Sequence, residues 1–398
     1  MAHTLNASRI RGNLRHLLRR VQPKFELALA GSAVCLAGIT PCHAQFSDRL
    51  FDPQDNMFDL SSHLLEHRGV LPVPIIITEP AIGHGAGLLG VLFDQPLGQA
   101  LSSSKGETGR AVPPNMTALG GFKTENGSWG ALAGHHRTWN NDQWRYLGGL
   151  GKADMQFDYY GISGQPRGYR LDGIGLLQQL MMRAGDSNWF VGPRYVWLQA
   201  APSFANGWPA DLEGRPVPET RIGRLGLVVE HDTRDNIFSP RSGHFLEGEV
   251  VAARPALGGT TRYEQFNLRG FNWSPIGSSY VLGLRGDLQS TRGDVPFFAL
   301  PYLKLRGLPA LRYQDRNTAV AEAELWWQAT PRWSLLGFVG AGRAWGRKQD
   351  FTEVNTVHAA GAGFRYLIAK QLGIHAGVDI ARGPEETVLY LQVGSPWR

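Results

Sequence analysis

The segment 280–289, Tyr-Val-Leu-Gly-Leu-Arg-Gly-Asp-Leu-Gln, alternates apolar and polar side chains and decides the fold class. Leu282, Leu284 and Leu288 fall on one face of an extended chain, while Arg285, Asp287 and Gln289 fall on the other. A period of two indicates a β-strand with one apolar and one polar face. The segment is also long, because strands of soluble domains average about five or six residues, whereas a tilted membrane-spanning strand needs about 9–11.

The same alternation recurs along the chain and predicts an antiparallel transmembrane β-barrel, an all-β fold. One face of each segment is rich in Leu, Val, Ala and Trp, and the other in charge and Gly, as expected for lipid-facing and lumen-facing sides. A soluble sandwich or soluble barrel also alternates and is the alternative. Single-chain bacterial barrels normally have an even strand number, so sixteen strands are predicted, with fourteen as the fallback. The candidate strands are 75–79, 84–93, 116–124, 128–139, 143–159, 169–184, 188–201, 221–232, 243–254, 260–273, 278–291, 316–329, 332–345, 355–368, 371–382 and 386–395.

Tryptophans and long connections give the barrel an orientation. Several tryptophans cluster near segment ends, which is typical of an interfacial aromatic girdle. Long connections of such barrels tend to be extracellular and short turns periplasmic; the long ones here are 94–115, 202–220 and 292–315. The girdle candidates are Trp129, Trp139, Trp144, Trp189, Trp333, Trp345 and Trp397.

Residues 1–44 have the features of a cleavable signal peptide. A basic stretch precedes the apolar run Leu27–Ile39, and Ala44 stands before the predicted cut; a soluble helix or a membrane anchor is the alternative. Six of the 40 basic residues, one of the 34 acidic residues and both cysteines lie in this stretch. The rest of the chain is therefore close to neutral despite the net charge of +6, which argues against a nucleic-acid partner.

The remaining chain divides into a short periplasmic segment, 45–73, and a barrel, 74–398. The short segment is too small for an independent domain. His63-Leu-Leu-Glu-His67 matches a zinc-protease pattern, and Gly85-Ala-Gly-Leu-Leu-Gly90 matches a dinucleotide pattern. The first lies in a short amphipathic stretch, and the second continues into a strand rather than a helix. We therefore predict no catalytic, cofactor-binding or metal-binding residues.

Two stretches have more specific chemistry. The first, 231–243, joins two strongly alternating strands and contains turn-forming Asp, Asn, Pro and Gly residues with opposite charges that can pair. The second is the loop around Arg306, followed by a strand with Glu322 and Glu324. An arginine on a loop can pair with two inward carboxylates in a lumen, or it can be a solvated loop residue; the residues alone favour neither.

These stretches resemble the BamA/TamA outer-membrane barrels, the bacterial surface antigen family, over roughly residues 74–397. The D-x-R-D-N-x-x-x-P-x-x-G turn resembles that family's hallmark turn, and Leu305-Arg306-Gly307 resembles the motif of its inward-folding loop, here 292–315. Ala323-Glu324-Leu325 and Phe338-Val-Gly-Ala-Gly342 resemble the strands that follow. The resemblance implies sixteen strands and an Arg306 docked against Glu324. The turn residues that match are Asp232, Arg234, Asp235, Asn236, Pro240 and Gly243.

The sequence departs from the family pattern at several positions. Gly340 stands where the family usually has an aspartate, so Glu322 is the expected substitute partner of Arg306. Leu308 replaces a frequent aromatic residue. The segment 45–73 leaves no room for the family's periplasmic POTRA domains. The C-terminal residues Tyr390, Gln392, Gly394 and Trp397 resemble a last-strand assembly signal, although Arg398 follows the aromatic residue.

The resemblance implies a non-enzymatic barrel in the outer membrane of a Gram-negative-type cell that inserts or translocates proteins, or lipids. Its expected partners are outer-membrane lipids, an unknown protein substrate and the barrel assembly machinery that inserts it. The proposed mechanism is a weak seam between the first and last strands, with the Arg306 loop bracing the lumen. A passive, porin-like solute channel is the first alternative, and a barrel enzyme acting on lipids is the second.

Overall fold

The computed structural model describes residues 50–98, 112–161, 164–212 and 219–397. The predicted signal peptide 1–44 and the first residues of the 45–73 segment lie outside these ranges. A short helix, α1 (Ser61–Glu66), precedes the first strand. None of the helices among the described residues is long and apolar enough to cross a membrane.

Sixteen antiparallel strands follow one another in a single sheet, in chain order. This confirms the all-β fold and the strand number, and the fourteen-strand fallback is not needed. The two longest strands have 17 and 18 residues. The strands are β1 (Val70–Ile77), β2 (Gly85–Phe93), β3 (Met116–Thr124), β4 (Trp129–Trp139), β5 (Trp144–Tyr160), β6 (Pro166–Arg183), β7 (Trp189–Phe204), β8 (Thr220–Asp232), β9 (Gly243–Ala253), β10 (Tyr263–Ile276), β11 (Tyr280–Gly293), β12 (Asn317–Gln328), β13 (Trp333–Trp345), β14 (Val357–Ala369), β15 (Ile374–Arg382) and β16 (Thr387–Val393).

The faces of the sheet are polarised as a membrane barrel requires. Leu119 on the outside is 68% exposed, whereas Arg365 and Asp379 on the inside are fully buried. A soluble sandwich buries its apolar face, so this inverted arrangement favours the barrel that the sequence predicted. The glycine motif of β2 is part of this wall: a Cβ added to Gly85 would lie 2.5 Å from the carbonyl oxygen of Lys123 on β3.

The tryptophan girdle is confirmed in part. Trp129, Trp139, Trp189 and Trp333 stand at strand ends and remain more than a third exposed. The prediction is wrong for Trp397, which is only 7% exposed and packs inside the barrel. Trp397 lies beyond the end of β16, and so its position is not fixed by the outward alternation of a strand.

Connections alternate between the two ends of the barrel because every strand pairs with the next one in antiparallel fashion. The end that carries residues 50–69 and 394–397 is called the terminal end here, and the other the loop end. Residues 94–98 and 112–115 of the first long connection lie at the terminal end, whereas 205–212, 219 and 294–316 lie at the loop end. The long connections therefore do not all leave the same end of the barrel, because strand order, not loop length, sets the end; which end is extracellular stays a prediction.

β1 and β16 form the two edges of the sheet, and no register pairs them among the described residues. Every other strand pairs with both of its neighbours. β1 begins at Val70, earlier than the sequence predicted, and contains Pro72 and Pro74. Proline is tolerated in a strand when its missing N–H faces away from the paired neighbour, which an edge strand allows.

Candidate functional site: the inward loop and the strand seam

The loop between β11 and β12, residues 294–316, is folded against the inner wall of the barrel. Leu303 N–H donates to the carbonyl of Tyr313 at 2.9 Å, which doubles the loop back on itself. Leu303, Leu305 and Leu308 are buried against Val320 of β12. This packing holds the intervening Arg306 on the lumen side of β12.

Arg306 lies at the centre of an ion-pair network. Its Nε donates to Glu322 Oε1 at 3.0 Å, and its Nη1 donates to Asp379 Oδ2 at 2.9 Å. Glu324 Oε2 lies 2.6 Å from Nη2 but outside hydrogen-bonding geometry. The guanidinium also stacks over the ring of Phe338 at 3.5 Å. Burial opposes the charged form, but Glu324, Glu322 and Asp379 outweigh it and raise the pKa of Arg306.

Two further arginines share these carboxylates. Arg285 of β11 donates to Glu322 Oε2 at 3.2 Å. Arg365 of β14 holds Asp379 with two hydrogen bonds, at 2.5 and 2.9 Å. Charge-assisted bidentate pairs of this kind are among the stronger polar contacts in proteins. The network therefore links β11, β12, β14 and β15 to the loop.

The sequence analysis named Glu322 and Glu324 but missed Asp379 and Arg365. Asp379 is 73 residues from Arg306 in the chain, so only closure of the barrel brings them together. The sequence indicated the position of Asp379 only weakly: the alternation of inward-facing and outward-facing residues along β15 places its side chain toward the lumen. Gly340 has no room for a carboxylate, because a Cβ there would lie 2.7 Å from Leu305 Cδ2. Leu305 fills the space, and Asp379 supplies a carboxylate from another strand.

Gly307 follows Arg306 with φ +90°, a conformation that glycine adopts readily. A Cβ would also lie 2.9 Å from the backbone N of Gly383, so the loop backbone passes close to the β15–β16 turn. Gly307 N–H donates to the hydroxyl of Tyr390 at 3.0 Å. Ala310 N–H donates to Glu79 Oε1 at 2.9 Å. Because Glu79 follows β1 and Tyr390 belongs to β16, the loop touches both sides of the seam.

The hallmark turn lies at the terminal end, between β8 and β9. Asp232 and Arg234 form a buried bidentate pair at 2.9 and 2.8 Å. Asp235 Oδ1 accepts from the N–H of Arg241 at 2.9 Å. Gly243 has φ +93°, and a Cβ there would lie 2.2 Å from the Thr233 carbonyl oxygen. These local contacts fix the turn without any ligand.

The same turn reaches the last strands of the barrel. Asn236 accepts from Phe238 N–H at 2.7 Å and donates through Nδ2 to the carbonyl of Leu372 at 2.8 Å. The Phe238 carbonyl accepts from Ser395 N–H at 2.6 Å. Pro240 is buried between these contacts and Gly243. The turn therefore ties β8 and β9 to the β14–β15 turn and the C-terminal residues.

The C-terminal residues lie against the inner surface of the barrel wall at two places, beside the inward loop and beside β9–β11. Tyr390 contacts the inward loop, and Tyr390 and Gln392 both line a cavity of about 310 Å³ beside that loop. Gly394 has φ +78° and turns the chain after β16. The ring of Trp397 then stacks at 6.0 Å on Phe271, within a cluster on β9–β11. The role of these residues as an assembly signal stays a prediction.

An anchor that the sequence analysis did not find holds the segment before β1. Arg332, in the β12–β13 turn, pairs with Asp52, Asp55 and Asp59 at 2.7, 2.7 and 2.5 Å. A hydrogen bond from Lys370 lowers the pKa of Asp52, and one from Arg332 lowers that of Asp55. Burial opposes ionisation of Asp59, but hydrogen bonds from Ser61 and Arg332 lower its pKa. Residues 50–66 thus cover part of the terminal end.

The residues of the zinc-protease pattern lie in and just after α1. The rings of His63 and His67 are 5.5 Å apart, while Leu60, Leu64 and Leu65 pack against Leu372 and Ile374. No group of three or more His, Cys, Asp or Glu residues with the arrangement of a metal site occurs in the described parts of the chain. The helix is thus a packing element at the terminal end.

Comparison with solved structures identifies barrels of the same architecture. BamA from Haemophilus ducreyi lacking POTRA domains 1–3 superposes with a TM-score of 0.56 at 12% identity, over 82% of this chain and 70% of that one. CdiB from Escherichia coli gives a TM-score of 0.56 at 11% identity, over 81% and 61% of the two chains. CdiB from Acinetobacter baumannii gives 0.54 at 12%, over 81% and 59%.

No protein-family model matches the sequence, and no curated protein matches it either. At such low identity the structural likeness establishes the fold. The barrel described here spans less than two thirds of either CdiB chain. The chain is a sixteen-stranded β-barrel that has the fold of BamA and CdiB, as the sequence resemblance predicted.

Proposed function

We propose that this barrel inserts proteins into the outer membrane or translocates them across it, through the seam between β1 and β16. The observation that carries the proposal is the unpaired seam. Backbone polar groups in hydrocarbon need hydrogen-bond partners, so an unpaired strand edge is unfavourable for a barrel whose wall never opens. A client chain that crosses the wall requires one.

The inward loop supports a regulated seam. It contacts Glu79 beside β1 and Tyr390 on β16, and its Arg306 is tied to β12 and β15. The loop therefore spans the seam from the lumen side while the backbones of β1 and β16 remain unpaired. Movement of the loop changes the width of the seam without breaking any of the fifteen strand pairings.

The porin-like alternative predicts an open lumen. The loop 294–316, the terminal-end turn 233–242 and the ring of Trp397 all occupy space inside or across the barrel. We therefore expect little steady conductance from purified protein in a planar bilayer. A large, stable, solute-sized conductance would favour the channel.

Loss of the protein tests the proposal directly. We expect deletion of its gene to deplete particular outer-membrane proteins, as measured by quantitative mass spectrometry of isolated outer membranes, and re-expression to restore them. The Arg306→Ala variant, re-expressed in the deletion strain and present in the outer membrane at the wild-type level, should restore the depleted proteins poorly. An outer-membrane protein composition that does not change on deletion would refute the proposal.

A further inference from the structure

The lumen wall of the barrel is divided into a polar half and an apolar half. Inward-facing residues of β9–β12 include Glu247, Arg269 and Glu322, all of which form ion pairs. The inward-facing positions of β2–β6 are mostly Gly, Ala, Leu, Met and Phe. The lumen-facing surface of an outer-membrane barrel is ordinarily polar, so the apolar half is unusual.

Two leucines show that this apolar surface is open to the lumen. Leu132 stands opposite Gly120 of β3, one position from the outward-facing Leu119, and Leu147 lies an odd number of positions from the outward-facing Leu150. Because successive side chains of a strand point to opposite faces, Leu132 and Leu147 face the lumen. They are nevertheless 43 and 40% exposed, so neither is covered by the inward loop.

A groove of about 260 Å³ crosses four strands of the apolar half. Its floor is a row of small residues, since Gly130, Ala153, Gly173 and Ala200 stand opposite one another on β4, β5, β6 and β7. Neighbouring strands lie about 4.8 Å apart, so the row is about 14 Å long. Larger apolar side chains form its two walls: Met155 and Leu171 toward the loop end, and Leu132 and Leu198 toward the terminal end.

The groove offers no hydrogen bonds to an occupant. The backbone groups of its floor are used in the pairing between adjacent strands, and its lumen-facing side chains carry no N–H or oxygen. Lys152 borders the groove but directs its ammonium to Asp172 on the outer face. A polypeptide in the groove would leave its own N–H and C=O groups without partners, which is costly. A hydrocarbon chain has no such groups and therefore fits.

A polar cavity of about 680 Å³ adjoins the groove on the loop-end side. Phe157 and Tyr169, which line this cavity, are the next inward-facing residues beyond Met155 and Leu171 on β5 and β6. An amphiphilic molecule can therefore place an apolar chain in the groove and a polar head in the cavity. The polar residues of the cavity are Asn126, Gln156, Asp158, Arg170 and Ser203.

The charges of the cavity restrict the head group. Arg170 and Asp158 are its two charged residues, one of each sign. Arg170 Nε already donates to Asp154 at 2.6 Å, so little positive charge is left for a head with several phosphates. A head group with one phosphate and one amine matches this balance. The volume of the groove is below the range of about 300–1,000 Å³ of sites for drug-sized ligands, so it holds one chain rather than two.

We propose that the apolar half of the lumen wall binds one acyl chain of a zwitterionic phospholipid. The chain lies along the row from Gly130 to Ala200, and the head group lies in the polar cavity. This ligand site goes beyond the proposed function, because β4–β7 contribute nothing to the seam or to the ion pairs of Arg306.

Photo-crosslinking from the lipid tests the site. The full chain, purified in detergent, is reconstituted into phosphatidylglycerol vesicles that contain a phosphatidylethanolamine with a diazirine in one acyl chain. After illumination, peptide mass spectrometry locates the adducts. Lipids around the barrel label the outward-facing Leu150 and Ile174, which are 59 and 45% exposed and serve as the reference in every sample. We expect a second set of adducts on the lumen-facing Leu132 and Met155.

Two glycine variants make the lumen adducts specific to the groove. Gly175→Val fills the groove, and the nearest neighbours of its Cβ would lie at 3.6 Å, an ordinary contact. It should lower the ratio of lumen to reference adducts severalfold. Gly149→Val is the matched control, because Gly149 also faces the lumen with the nearest neighbour of a Cβ at 3.6 Å, but it lies outside the groove. It should leave the ratio unchanged.

A variant on another strand and a test of folding protect the comparison. Ala153→Leu fills the floor from β5 and should lower the ratio as Gly175→Val does. Heat-shifted gel migration verifies that each variant is folded. Unlabelled phosphatidylethanolamine in excess should also lower the lumen adducts severalfold, because it competes for the same site.

Several results would overturn the proposal. One is labelling of Leu150 and Ile174 without lumen adducts; another is an equal reduction of the lumen adducts by Gly175→Val and Gly149→Val. Stronger competition by lipid A, whose head carries more than one phosphate, would assign the site to a different lipid. Equal competition by a leucine-rich peptide would assign the groove to a polypeptide instead.

Discussion

Arg306→Ala should destabilise the folded barrel, because it removes the cation at the centre of the lumen network. Of its three carboxylate partners, Glu322 keeps Arg285 and Asp379 keeps Arg365. Glu324 has no second ion pair among the described residues and retains only a hydrogen bond from the Trp326 indole. The variant therefore leaves one buried carboxylate without a cation.

Breaking a buried pair by removing one partner typically costs about 3–5 kcal/mol. We expect a loss of this size in the free energy of unfolding. Loss of the contact with Phe338 acts in the same direction, since a desolvated cation–π contact contributes about 2 kcal/mol. Arg306→Lys should fall between wild type and alanine, because an ammonium keeps the charge but not the fork geometry.

Urea titration of the barrel in detergent micelles, followed by tryptophan fluorescence, measures these changes. Glu324→Gln provides the decisive comparison. In the wild-type chain it weakens the pair with Arg306 and should destabilise the barrel; in the Arg306→Ala chain it neutralises the orphaned charge and should restore stability. A loss below about 1 kcal/mol for Arg306→Ala, or the same effect of Glu324→Gln in both chains, would contradict docking of the loop by this network.

Three further predictions concern the terminal end and the packing of the loop. The pKa values of the three aspartates around Arg332 are lowered, so their stabilisation is complete above the ordinary value of 3.8 and is lost as the pH falls below it. The protection factors for amide exchange of residues 50–66, corrected for the intrinsic rate at each pH, should be high at pH 7 and lower below about pH 4, and Arg332→Ala should lower them already at pH 7. Gly340→Ala should cost about 1–3 kcal/mol by overpacking against Leu305, with Leu305→Ala relieving the effect in urea titrations. Trp397→Ala should cost about 3–5 kcal/mol of unfolding free energy, whereas Trp333→Ala on the lipid-facing girdle should cost much less; equal losses would place the two rings in equivalent surroundings.

Strand positions were predictable because alternation survives in each segment by itself. The 280–289 segment shows its lipid and lumen faces without any neighbour, and β11 (Tyr280–Gly293) contains it. β1 was the exception: Pro72 and Pro74 hid its first half, since proline ordinarily excludes a paired strand. Its edge position, a property of the whole sheet, makes both prolines acceptable.

The site was predictable only where one local stretch carries it. Arg306 and its partners on β12 are separated by a single loop, and the motif resemblance located them. Asp379 and Arg365 join the network only when β14 and β15 curve round to face the loop, and Arg332 meets three aspartates more than 270 residues away in the chain. No local pattern encodes such contacts, because they depend on the closure of the sheet.

The structure also explains how a seam stays narrow without a backbone ladder. Fifteen strand interfaces are held by backbone pairing, but no register pairs β1 with β16 among the described residues. The inward loop takes the place of the ladder: it accepts no strand, yet it binds Glu79 through Ala310 and Tyr390 through Gly307. Burial raises the pKa of Glu79, and the hydrogen bonds from the Ala310 and Ala81 backbone oppose this shift. Opening the seam then costs a few loop contacts, whereas opening any other interface costs a whole row of backbone hydrogen bonds.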